Sequence, residues 1–210
     1  MTEVVHLSAH GTVATASKIA DVLVEGGTVV LPTDTVYGLA ACPDDPGALK
    51  RLFELKGRDA DVPIAVLCGT AVQALSLAGT IGTAAARLAA QHWPGPLTMV
   101  LPRRGDLGWA LGEPANTIGV RCPDDPVVQA VAARIGPIAT TSANRHGDPT
   151  PTTADAVVAS LLGPVDLVVD GGERPGSAST VVVVDGDRLD VLRPGPLDLD
   201  LPRHDPSDSS

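Results

Sequence analysis

Several side chains in this sequence combine types and positions suited to handling anions. Lys56 and Arg58 alternate in "LKGRDADVP" around a helix stop and, flanking Gly57, can project from a loop at similar depth. An ammonium and a guanidinium side by side suit a polyphosphate, one as a point charge and one as a fork. Three apolar segments run into hydroxyls, an amide or a cation: "VVLPTDTVYGLA" with Thr33, Asp34, Thr35 and the only tyrosine, Tyr37; "NTIGVRCP" with Thr117 and Arg121; "PIATTSAN" with Thr140, Ser142 and Asn144. In open α/β sheets, ligands gather where strands end in such polar turns. Turn and helix-cap chemistry accounts for any one of these residues. It accounts less well for three such segments together.

Other chemistries find little support. No GxxxxGK[ST] phosphate loop, GxSxG elbow or dinucleotide fingerprint occurs. The five histidines (His6, His10, His92, His146, His204) have no metal-ligand spacing, so no protein metal site is expected. Cys42, Cys68 and Cys122 form no CxxC and are an odd number, which reads as ordinary thiols in a reducing compartment.

The elements that must position these residues alternate between strands and helices. "DPGALKRLFELKG" has Asp45 as N-cap, Pro46 in the first turn and Gly57 after the end. "DDPVVQAVAARIG" repeats that grammar. "TASKIADVLVEGG" predicts a helix capped from Thr15 or Ser17 and stopped at Gly26. Short helices are expected near Val72–Leu77 and Ala84–Gln91, and one capped from Thr152 or Thr153. Strands are predicted in "TVVLP", "VPIAVLC", "PLTMVLP", "TIGVRCP", "PIATTSAN" and "VDLVVDGG", with a hairpin turning at Asp185–Arg188. The class is α/β, and the hairpin signals predict a mixed sheet rather than a purely parallel one.

The 210 residues, 44% hydrophobic, fit one domain over residues 1–200 and a polar tail, 201–210, expected to be disordered. No signal peptide and no run of roughly 18 apolar residues is present, so a cytoplasmic protein is expected. A net charge of -10 disfavours non-specific nucleic-acid binding.

In this order and spacing, "LPTDTVYGL", the KxR of "KGR", "WPGPLTMVL", "NTIGVRCPDDP", the SxN of "TTSANRHGDPTPTT", "STVVVV" and "LRPG" resemble the YrdC-like family of threonylcarbamoyl-AMP synthases, from about Ser17 to Pro196. The resemblance implies an open, twisted, mixed sheet with flanking helices and a concave active-site cleft. It also implies a nucleotidyl transfer: L-threonine, bicarbonate and ATP give threonylcarbamoyl-AMP and pyrophosphate. ATP would be a substrate and bring Mg²⁺ with it. A separate transferase complex would then pass the threonylcarbamoyl group to an adenosine beside the tRNA anticodon. Carried over by position, Thr35, Arg121 and Thr140 would meet threonine. Lys56, Arg58, Thr117, Ser142, Asn144, Thr150 and Arg193 would meet ATP, with Lys56 and Arg58 as the catalytic phosphate clamp. The chain departs from the family pattern at Asp59, Val62 and Leu67, where a proline, an Asn or Lys, and in some members a histidine are usual. The rival reading is an RNA-binding module of the same fold. Aromatics are only 2% of the chain, which leaves few platforms for stacking bases. Oligomeric state is not legible in the sequence.

Overall fold

A computed structural model describes residues 2–199; the expected tail, 201–210, lies outside the described residues. In chain order the elements are β1 (Glu3–His6), α1 (Leu7–Val24), β2 (Val29–Leu31), β3 (Gly38–Ala41), α2 (Pro46–Lys56), β4 (Ala65–Leu67), α3 (Ala71–Leu75) and α4 (Thr83–His92). They continue with β5 (Leu97–Pro102), β6 (Thr117–Arg121), α5 (Pro126–Ile135), β7 (Ile138–Ser142), α6 (Ala154–Ser160), β8 (Leu167–Asp170), β9 (Thr180–Asp185) and β10 (Arg188–Arg193).

The Asp-Pro grammar works as read. Asp45 accepts from the backbone N–H groups of Gly47 and Ala48, and Asp125 from those of Val127 and Val128. Gly57 ends α2 in the left-handed region at φ 60°, where glycine carries no Cβ penalty. Thr153, not Thr152, caps α6. The first helix differs from expectation. It begins upstream at Leu7 and kinks at Gly11, so neither Thr15 nor Ser17 is an N-cap; Thr15 is buried inside it. Two strands escape sequence reading, β1 and the small-residue β3.

All ten strands form one sheet, ordered β1-β8-β2-β3-β7-β4-β6-β5-β9-β10. β1, β2, β4 and β5 lie parallel to neighbours β8, β8, β6 and β9, and the remaining pairs are antiparallel. The sheet is therefore mixed, as the hairpin signals predicted. Side chains alternate across it. Val30, Val168, Met99, Val120 and Val182 enter one core with residues of α2, α4 and α6, such as Leu52, Leu88 and Val157. Val29, Leu31, Leu167, Val169 and Ile138 enter a second core with residues of α1 and α5, such as Ile19 and Val131.

The second core ends near β4 and β7. No residue of β5, β6, β9 or β10 belongs to it. On that face those strands carry Thr98, Val100, Thr117, Gly119, Arg121, Val181, Val183 and Arg193, which line a cleft of about 480 Å³. The site thus occupies a sheet face that the helices leave bare, with the polar strand ends forming one wall.

Candidate active site

The loop between β2 and β3 is folded on itself by Thr33. Its Oγ1 donates to the Val36 carbonyl at 2.6 Å and accepts from the Thr35 and Val36 N–H groups. That turn aims Thr35 Oγ1 at Arg121 Nη1, which donates to it at 2.9 Å. Arg121, 5% exposed at the end of β6, also donates from Nη2 to Asp34 Oδ1 at 2.5 Å and from Nε to the Gly95 carbonyl at 3.1 Å. Asp34 Oδ2 in turn accepts from the Asp124 N–H. Burial lowers the Arg121 pKa, and Asp34 opposes that shift.

Tyr37 is fully buried. Its hydroxyl donates to the Gly172 carbonyl at 2.7 Å and accepts from the Gly171 N–H, pinning the segment after β8 against the loop. That segment approaches so closely at Gly176 that a Cβ would stand 2.5 Å from the Thr35 carbonyl oxygen. Only glycine fits there without moving Thr35.

Three more cations converge on the cleft. Arg58 donates to the Pro63 carbonyl at 2.7 Å and to Thr141 Oγ1 at 3.4 Å, while its buried Nε has no partner. Arg193, at the end of β10, donates to the carbonyl and hydroxyl of Ser179. Lys56, 2% exposed, places Nζ within 2.6–3.2 Å of four oxygens on Ser142 and Asn144. Burial, then the charges of Arg58 and Arg193, pull the Lys56 pKa down to about 7. Burial and then Arg193 lower that of Arg58, and burial and then Arg121 lower that of Arg193. Among the described residues no carboxylate lies within ion-pair distance of Lys56, Arg58 or Arg193; Arg121 alone of the four has one. In a chain of net charge -10, two partly desolvated arginines without carboxylate partners face one cleft with Lys56 behind them, an arrangement suited to an anion.

Residues 21–195 match the Sua5/YciO/YrdC family, described as "Telomere recombination". The chain belongs to the Sua5/YciO/YrdC family. It is 40% identical to the threonylcarbamoyl-AMP synthase of Pyrococcus abyssi over 84% of its own length and 52% of the relative's. It is 37% identical to a putative threonylcarbamoyl-AMP synthase of Mycobacterium tuberculosis, over 82% of this chain and 80% of that one. It superposes on the crystal structure of P. abyssi Sua5 complexed with L-threonine with a TM-score of 0.83 at 36% identity, covering 94% of this chain and 58% of that one. The chain spans about half the length of the P. abyssi relative and most of the M. tuberculosis one.

The ten residues singled out in the sequence of this Sua5/YciO/YrdC member do not stand alike. Thr35, Arg58, Thr117, Arg121, Thr140, Ser142 and Arg193 line the cleft together. Lys56 and Asn144 lie behind that lining. Sequence reading expected Lys56 and Arg58 to project from a loop at similar depth. Instead Lys56 ends α2 and ties the SxN turn in place, while Arg58 faces the cleft. Asn144 is locked by its own donors to the Arg145 and Asp148 carbonyls. Thr150 sits in a half-buried loop and does not line the cleft. Asp59 is exposed and lines a groove beside α2 rather than the cleft, although Arg58 and Gly112 line both; Leu67 is a buried wall of the cleft.

Two site residues went unassigned in the sequence. Asp34 was quoted within its motif but given no role. Ser179, which holds Arg193 and whose Oγ lies 2.8 Å from Thr98 Oγ1, carried no signal beyond a serine before a strand. Among the described residues, no group of three or more His, Cys, Asp or Glu side chains is placed to hold a metal ion, and no helix is long and apolar enough to cross a membrane.

Proposed function

We propose that this chain is a nucleotidyltransferase that joins L-threonine, bicarbonate and ATP into threonylcarbamoyl-AMP and pyrophosphate. The observation that carries the reading is the pairing of two subsites on one bare sheet face. One is three cations without carboxylate partners. The other is an arginine held by a carboxylate and a threonine hydroxyl. The names of the relatives, and the threonine bound in the P. abyssi structure, point to the same substrates.

Arg121 uses three of a guanidinium's five N–H donors on Asp34, Thr35 and Gly95. Two remain for the carboxylate of threonine. Thr35 and Thr140 would read the rest of the amino acid. Arg58 and Arg193 would take the phosphates. Lys56 would support them from behind, holding Ser142 and Asn144 beside the nucleotide. Thr117 at the mouth and Thr150 in its loop complete the ATP set. The aliphatic wall of Ile64, Leu111, Val181 and Val183 suits a purine face.

The chemistry needs no protein nucleophile. The neutral amine of threonine attacks the carbon of bicarbonate, and loss of water leaves an N-carboxylate. One of its oxygens then attacks the α-phosphorus as the bond to the β-phosphate bridging oxygen breaks, and pyrophosphate leaves with that electron pair. The protein would supply position and fixed positive charge where negative charge accumulates. Mg²⁺ would arrive on the phosphates of ATP. The adenylate would pass to a tRNA threonylcarbamoyl-transferase machinery in the cytoplasm.

The test is pyrophosphate release from ATP by the purified chain. Release is expected only when L-threonine and bicarbonate are both present. Release indifferent to threonine would refute the assignment.

A further inference from the structure

The reading above gives Arg121 a substrate but leaves its carboxylate partner, Asp34, without a role. We propose that Asp34 is a specificity-determining residue: locked to Arg121, its carboxylate divides the positive charge of the cleft into a polyphosphate subsite at Arg58 and Arg193, backed by Lys56, and an amino-acid subsite at Arg121. This rests on the function proposed above and deepens it.

A triphosphate entering the cleft would meet three arginines, with Lys56 behind them. A polyanion is drawn to all the positive charge it can reach, and Arg121 is near enough to Arg193 for the two to repel. A triphosphate lying across both would bury the threonine subsite. The Arg121–Asp34 pair, 6% and 12% exposed in their side chains, carries no net charge. To a polyanion it offers little. To an amino acid it offers the remaining N–H groups of Arg121 for the carboxylate, on a guanidinium whose charge is already balanced. Asp34 is held by both oxygens, Oδ1 on Arg121 and Oδ2 on the Asp124 N–H in the turn between β6 and α5. It therefore has no easy way to swing aside and release Arg121 to the phosphates. The other three cations make their hydrogen bonds to neutral oxygens only, so no carboxylate offsets the charge that Arg58 and Arg193 present to the ligand.

Inorganic tripolyphosphate is a suitable probe, because it reports the charge division without turnover. Calorimetry on the full chain should find that tripolyphosphate and threonine bind together without competing. In Asp34→Asn, tripolyphosphate should bind about tenfold tighter, the worth of one added charge-assisted contact, and threonine should now compete with it. Unchanged tripolyphosphate affinity and continued independence from threonine would overturn the proposal. So would an equal loss of both ligands, which is what a merely structural Asp34 would give.

A second pair of variants keeps the question open if Asp34→Asn does not fold. Arg58→Gln should weaken tripolyphosphate about tenfold, whereas Arg121→Gln should bind it as the parent chain does. Equal losses would show that Arg121 belongs to the polyphosphate subsite and defeat the division. Failure of the parent chain to bind tripolyphosphate at all would instead defeat the proposed function, and this inference with it.

Discussion

One face of the sheet is treated in two ways. Over β8, β2, β3 and β7 it is closed by α1 and α5, and its residues there are Leu167, Val169, Val29, Leu31, Ala40 and Ile138, all buried. Over β6, β5, β9 and β10 the same face is open and reads Thr117, Gly119, Arg121, Thr98, Val100, Val181, Val183 and Arg193. The opposite face carries core residues over both halves, such as Val168, Val30 and Ala139 on one and Val120, Met99 and Val182 on the other, so packing on that side does not distinguish them. What differs is whether a helix arrives. Where one does, aliphatic side chains hold the fold together. Where none does, hydroxyls, glycine and arginine are tolerated, and the remaining valines are left to pack against a ligand. A bare sheet face in an α/β protein is an unpaid desolvation, and that alone marks it as a place for a ligand.

The sharpest contrast comes from cutting into the closed half. Leu167→Ala should cost about 2–5 kcal/mol in denaturant unfolding, because the site is fully buried and packed by a helix. Its effect on tripolyphosphate affinity should be negligible. If ligand affinity falls in step with stability, the two halves are not separable. The converse cut is Arg58→Lys on the open half. Pyrophosphate release should fall about ten- to a hundred-fold through loss of the guanidinium fork, with a melting temperature close to the parent's. Normal turnover would mean that Arg58 only ends a helix.

The smallest effect concerns pH and the boundary between the halves. The pKa of Lys56 in the folded chain, about 7, lies below its ordinary 10.5. Between those values the unfolded chain binds the extra proton, so stability gained from this group rises with pH. Its cost is fully present below about pH 7 and is relieved as pH climbs toward 10.5. The slope should be at most about 1.4 kcal/mol per pH unit. Lys56→Met should remove that increment from the ligand-free chain's pH–stability curve. Identical slopes in parent and variant would show that the four oxygens around Nζ hold the ammonium fully charged.

Local grammar was legible, and long-range pairing was not. The helices at Pro46–Lys56 and Pro126–Ile135 announce themselves because cap, proline and stop lie within a dozen residues of one another. The α1 start was misplaced because Thr15 and Ser17 look like caps until tertiary burial overrides them. β3 went unread because Gly38–Ala41 is made of small residues whose strand character comes from its partners, β2 and β7. In the site, residue types marked the motifs but not the depths. Nothing near Lys56 says that its ammonium will be spent on a turn 86 residues away, and nothing near Asp34 says that it will meet Arg121, 87 residues on. Such pairings are set by strand order, which no local pattern encodes.

That strand order also has a consequence in time. β5 reaches its parallel partner β9 only across 83 residues, Leu97 to Thr180, and Arg193 ends the strand that closes the sheet. Closing a loop so long is slow compared with forming its local hairpins. On the ribosome, the closed half can collapse around α1 and α5 once β8 has emerged, whereas the cleft lacks a wall until the last hairpin docks. The nascent chain would therefore be folded before it is competent, and truncation between β8 and Arg193 would leave a collapsed closed half without the proposed reaction.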